Sequence, residues 1–113
     1  MNYFSIFCLL LLSVGMVQAQ SKTASDWVDL GSTRYEAGDY DAALTHYNHA
    51  LEVKPGYSYA LYGRGLTHLS MHQYPQALKD FDQVITNHPR FLNCYYSRAK
   101  THWLLGNIEQ AGS

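Results

Sequence analysis

Apolar and small residues along this chain fall into stripes with the spacing of a helix. Ala43, Leu44, Tyr47, Ala50 and Leu51 stand at i, i+1, i+4, i+7 and i+8, one face of an α-helix. Ala77, Leu78, Phe81, Val84 and Ile85 repeat that face thirty-four residues later. Tyr59, Tyr62, Leu66 and Leu69 form another stripe, at steps of three, four and three. No segment carries a strand pattern, so the expected class is all-α.

Polar and special residues punctuate the stripes. Gly38 and Gly106 suit the left-handed residue that closes a helix. Asp39 and Asn107 suit the N-cap that follows, and His72 takes the same turn position in the middle copy. Pro75 falls in a first turn, where a missing N–H costs nothing. Pro55 and Pro89 end the helices before them. Each unit thus reads as helix, tight turn, helix.

The period itself is a repeat. Gly31/Gly65, Thr33/Thr67, Tyr40/Tyr74, Ala43/Ala77, Leu44/Leu78 and Pro55/Pro89 are identical pairs. Tyr62, Arg64, Thr67 and His68 are answered by Tyr96, Arg98, Thr101 and His102 in a third copy. A fixed period of this length means stacked copies of one supersecondary unit. Gly31, Gly65 and Ala99, facing Ala43, Ala77 and Ala111, are expected where two helices touch, with Tyr47 and Phe81 filling the space beside them.

Trp27-x2-Leu30-Gly31, Tyr40, Ala43, Tyr47, Ala50 and Pro55 in the first copy resemble the tetratricopeptide repeat (TPR) family. Gly65, Tyr74, Ala77, Phe81 and Pro89 carry the resemblance in the second copy, and Tyr95, Ala99, Gly106 and Ala111 in the third. Arg34, with Tyr35 one place late, and Arg64 depart from the pattern. The resemblance implies a right-handed α-solenoid: a linker at 20–23, repeats at 24–57 and 58–91, and an incomplete repeat at 92–113. Roughly three repeats are the usual minimum for stability. The shortfall points to a fragment of a longer repeat protein, or to something that covers the last copy.

The resemblance also implies a concave groove that binds a peptide or protein segment. Its positions match Val28 and Tyr35, with Ser25 and Ser32, in copy one. Tyr59, Tyr62, Leu66 and Leu69 follow in copy two, and Asn93, Tyr96, Lys100 and Trp103 in copy three. Trp27 and Tyr95 are expected in the hairpin core. The family's carboxylate clamp falls on Val28, Ser32, Gly63, Asn93 and Ser97, which include no cation. Lys100 is left as a groove cation.

Composition narrows the partners. Eight Lys+Arg against nine Asp+Glu leave a net charge of −1, which gives no field for nucleic acid. Ten Tyr, nine of them after residue 30, favour adhesive surfaces. The uncharged apolar stretch from Met1 to Ala19 reads as a signal peptide cut after Ala19, directing the chain to a periplasm or secretion. Retained, it would be a membrane anchor; cleaved, it leaves no stable membrane association. Cutting also removes Cys8 and leaves Cys94 unpaired, as a buried small hydrophobe or an intermolecular link.

His46 with His49, and His68 with His72, have spacings that bring two imidazoles together, so a weak metal-binding module is an alternative. No motif completes either pair. Asp39 and Asp41 are explained as helix-start carboxylates, and Lys79-Asp80-Phe81-Asp82 as a solvated face around a core Phe. No catalytic constellation and no cofactor motif is found, which leaves a scaffold or adaptor, not an enzyme. Self-association through the uncapped last copy is a further expectation.

Overall fold

The computed structural model describes residues 21–111, and every helix in that span is α-helical. Residues 1–20, which include the stretch expected to be a signal peptide, and Gly112-Ser113 lie outside the described residues. The helices are α1 (Ala24–Glu36), α2 (Tyr40–Val53), α3 (Ser58–Ser70), α4 (Tyr74–Asn87) and α5 (Leu92–Ala111). Successive helices pack on one another, and α1–α3 and α3–α5 also touch, so α1, α3 and α5 form one layer.

Local chemistry sets the boundaries. Thr23 caps α1 in a reciprocal box with Asp26: each backbone N–H meets the other's side chain, at 2.9 and 3.1 Å. Those bonds hold the Asp26 carboxyl below its ordinary range. Thr23, expected in the linker at 20–23, is thus the cap of α1. Asp39 caps α2 by accepting from the Ala42 N–H, and Pro75 sits in the first turn of α4. Gly38 has φ +78° and His72 has φ +60°, so the turn position of copies one and two is left-handed, as expected.

Packing follows a large-into-small rule. A Cβ on Gly31 would lie 2.7 Å from the Tyr47 ring, and one on Gly63 would lie 2.5 Å from the same ring. Tyr47 of α2 is therefore clasped between glycines of α1 and α3, joining the first hairpin to the second. Its hydroxyl lies 3.2 Å from Ser32 Oγ. Burial pushes the phenol pKa up, and that hydrogen bond pulls it part of the way back. Gly65 gives Phe81 the same room, at 2.5 Å. Phe81, Leu61, Ala77, Val84 and Cys94 make the buried cluster between the second hairpin and α5.

Three expectations fail. Gly106 and Asn107 make no turn: α5 runs unbroken from Leu92 to Ala111, and a Cβ on Gly106 would meet nothing within 4 Å. A turn forfeits helical hydrogen bonds and is stable when a second helix packs back to offset them. No such helix follows among the described residues. For the same reason Tyr95 is not in a hairpin core; it is 36% exposed and its hydroxyl donates to the Pro89 carbonyl at 2.7 Å.

Asp80 is the third failure, being 3% exposed and not solvated. Arg64 grips it with two bonds, Nε–Oδ2 at 2.9 Å and Nη2–Oδ1 at 2.8 Å. The remaining Nη1 donates to Asn48 Oδ1 at 2.9 Å, so one guanidinium ties α2, α3 and α4 together. Thirty-four residues on, Arg98 Nη1 meets Asp82 Oδ1 at 3.1 Å, repeating the Arg64–Asn48 contact.

Candidate functional site: a groove across the first helices

The layer of α1, α3 and α5 is fixed by two hydroxyl pairs. Tyr35 Oη lies 3.0 Å from Ser70 Oγ, and Tyr62 Oη lies 3.3 Å from Ser97 Oγ. Both pairs join consecutive first helices. Tyr62 also packs against Phe81 and Phe91, with ring centroids 6.0 and 5.0 Å away. It is a wedge between repeats more than an open contact residue.

Between these pairs lies a cavity of about 340 Å³. Of the twelve residues expected in the groove, Tyr35, Leu66, Leu69, Tyr96 and Lys100 line it. Leu66 and Leu69 are half-buried and form an apolar floor, whereas Tyr96 is 73% exposed at the rim. Val28, Tyr62, Asn93 and Trp103 do not line it, although Trp103 is exposed on the same helix as Tyr96. Sequence reasoning missed Ser70, His72, Tyr74 and Leu104, which close the far end. His72 was legible as a turn residue, but that its Nδ1 meets Tyr74 Oη at 2.8 Å was not.

Tyr59 belongs elsewhere. It lines a larger hollow of about 640 Å³ at the links between repeats, with Lys54, Tyr57, His88, Arg90 and Phe91. Its ring stands edge-on to Tyr57 and Phe91.

Three of the five clamp positions are taken up by packing, whereas Asn93 is exposed and Val28 half-buried. Ser32 serves Tyr47, Ser97 is buried against Tyr62, and Gly63 receives the Tyr47 ring. The paired histidines also make contacts within the fold, although His46 Nδ1 is buried without a hydrogen-bond partner among the described residues. His46 and His49 stack on Trp27, and His49 faces Glu52 at 3.4 Å. His68 Nδ1 meets Gln73 Oε1 at 2.7 Å. Among the described residues no group of three or more His, Cys, Asp or Glu is placed to hold a metal ion. No described helix is long and apolar enough to cross a membrane.

Two family profiles match, a TPR repeat over residues 31–72 and a tetratricopeptide repeat over residues 62–113. The chain belongs to the TPR family. Over 64 residues it is 41% identical to the tetratricopeptide repeat and J domain-containing co-chaperone DNJ1 of Cryptococcus neoformans, covering 56% of this chain and 12% of that one. It is 29% identical over 90 residues to mouse serine/threonine-protein phosphatase 5, covering 80% of this chain and 18% of the relative. The chain thus spans less than a fifth of each curated relative. Among solved structures, the second TPR of Spaghetti (RPAP3), bound to the HSP90 peptide SRMEEVD, superposes with a TM-score of 0.72 at 21% identity. That match covers 86% of this chain and 90% of that TPR.

Proposed function

We propose that this TPR chain is a recognition module that seats an extended protein segment in the groove of Tyr35, Leu66, Leu69, Tyr96 and Lys100. The observation that carries the reading is the pairing of an apolar floor with an exposed aromatic rim and one cation at its end. Such a site suits a segment with one or two apolar side chains beside a carboxylate, the apolar part supplying area and Lys100 supplying orientation. The two tyrosine–serine pairs hold the walls before a ligand arrives, which lowers the entropic cost of binding. The module carries no chemistry of its own in this reading.

The Spaghetti TPR was solved with an acidic HSP90 tail, which supports peptide binding as the class. The clamp positions of this chain argue for a different sequence in the groove, since Ser32, Gly63 and Ser97 are taken up by Tyr47 and Tyr62 and none of the five is cationic. Peptide-display selection on the chain tests the proposal. Selected sequences should share apolar residues next to an acid and be lost from a Tyr96→Ala/Lys100→Ala variant that keeps its helical circular dichroism. Equal capture by both proteins would overturn it.

The uncharged stretch Met1–Ala19 supports the further reading that the module works outside the cytoplasm. A mature chain starting at Gln20, found by mass spectrometry of native material, is the expected result. Recovery of the chain, Met1 included, from the cytoplasmic fraction alone would overturn it.

A further inference from the structure

The outward stripe of α5 has no layer over it among the described residues. Tyr95, the adjacent Arg98 and Ala99, His102, Gly106 and Glu109 follow at steps of three or four, on one helical face. The corresponding face of α3 shows what this register takes. There Leu61 is 2% exposed, Gly65 receives Phe81, and Arg64 uses Nε and Nη2 on a carboxylate from the facing helix. Arg98 uses Nη1 on Asp82, and its Nε and Nη2 have no partner among the described residues. The stripe therefore offers an aromatic, two small residues that admit a close helix, and a guanidinium edge open to a carboxylate.

We propose that this stripe is a two-fold docking face for α5 of a second copy, packed antiparallel. The stripe is self-complementary in charge: Arg98 near one end is balanced by exposed Glu109 eleven residues on, about three turns or 16 Å along the axis. Rotation about a two-fold axis midway between them sets Arg98 against the partner's Glu109, and Glu109 against the partner's Arg98. Ala99 and Gly106 flank that axis and let the two helices approach closely; no atom stands within 4 Å of a Gly106 Cβ. A contact of three turns is smaller than the roughly 800 Å² per partner of a standard interface, so the dimer is weak and concentration-dependent. The face is distinct from the peptide groove, and neither reading depends on the other.

Sedimentation velocity of the whole chain from micromolar to about millimolar tests the assignment. The chain should shift from monomer to dimer, and less so in high salt. Arg98→Glu and Glu109→Arg alone should each weaken the dimer about tenfold or more, because each homodimer then faces like charges twice. Mixing the two variants should restore a heterodimer, since both cross-pairs then carry opposite charge. That recovery also shows that both variants are folded. A monomer at every concentration, a dimer indifferent to either reversal, or a mixture no tighter than its components would each overturn the proposal.

Discussion

α3 and α5 occupy equivalent places in successive repeats, and their inner faces match. Ala60 and Thr67 on α3, and Cys94 and Thr101 on α5, are all fully buried. Their outer faces do not match. Leu61 and Gly65 lie under α4, whereas Tyr95 and Ala99 lie open; Arg64 bonds α4 through Nε and Nη2, which on Arg98 have no hydrogen-bond partner among the described residues. Equivalent positions, of which Tyr62, Arg64, Thr67 and His68 recur unchanged as Tyr96, Arg98, Thr101 and His102, thus give a core face in one copy and an exposed face in the next. Burial in a repeat array belongs to the neighbour as much as to the residue.

The sharpest way to break this comparison is to remove the two arginines. Arg64→Ala leaves Asp80, whose side chain is 4% exposed, with only His68 Nε2 at 4.0 Å in place of the guanidinium, and should destabilise the fold by about 3 kcal/mol. Arg98→Ala removes a contact to Asp82, whose side chain is 58% exposed, and should cost less than ~1 kcal/mol. Urea unfolding of both variants measures the difference. Equal losses would mean that the outer face of α5 is covered in solution.

The inner faces should behave alike, and Cys94 reports on that of α5. Burial pushes its thiol up from an ordinary 9.0 to about 11, with Arg98 drawing it back slightly. A thiol pKa raised by folding stabilises the fold fully below pH 9, and that stability is lost as pH rises through about 11. The loss is roughly 2 kcal/mol. Chain stability measured from pH 8 to 11 should fall in Cys94 wild type and stay flatter in Cys94→Ala. Thiol labelling of the native chain should be slow and should accelerate on denaturation. Fast labelling at neutral pH would show that α5 lifts from the array.

A smaller effect probes the helix crossing. Gly65→Ala puts a methyl against Phe81, which is fully buried and has nowhere to move, and should cost about 1–2 kcal/mol. Copy three already carries Ala99 at this position and tolerates it because no ring faces it. Thermal melts of Gly65→Ala and Ala99→Gly should therefore shift for different reasons: the first from overpacking, the second from helix propensity alone.

The period, hairpins, small-to-large crossings and left-handed turns at Gly38 and His72 were legible because each depends on residues close in sequence or on exact repetition. The Asp80 ion pair was not. Its partner lies sixteen residues away on another helix, and a charge beside a core Phe reads locally as solvated. Tyr59 was misplaced because its spacing names a helix face and not the loop hollow at that helix's start. Five of the residues named from the sequence line the cavity and others do not, since spacing identifies the face of a helix but not how far along it the walls extend.

Gly106 shows how the same local phrase can end in two structures. Beside Leu105 and Asn107 it looks like the turn at Gly38, yet it lies inside α5, where glycine is a poor helix former. Gly106→Ala should therefore add helicity and raise stability by about 0.5–1 kcal/mol, because the added methyl meets nothing. Gly38→Ala should instead be destabilising, since φ of +78° strains any side chain. Circular dichroism and thermal melts of the two variants give opposite signs if copy three lacks its turn. If Gly106→Ala destabilises as Gly38→Ala does, the chain turns at Gly106 in solution, and the outer face of α5 then has a cover from its own chain.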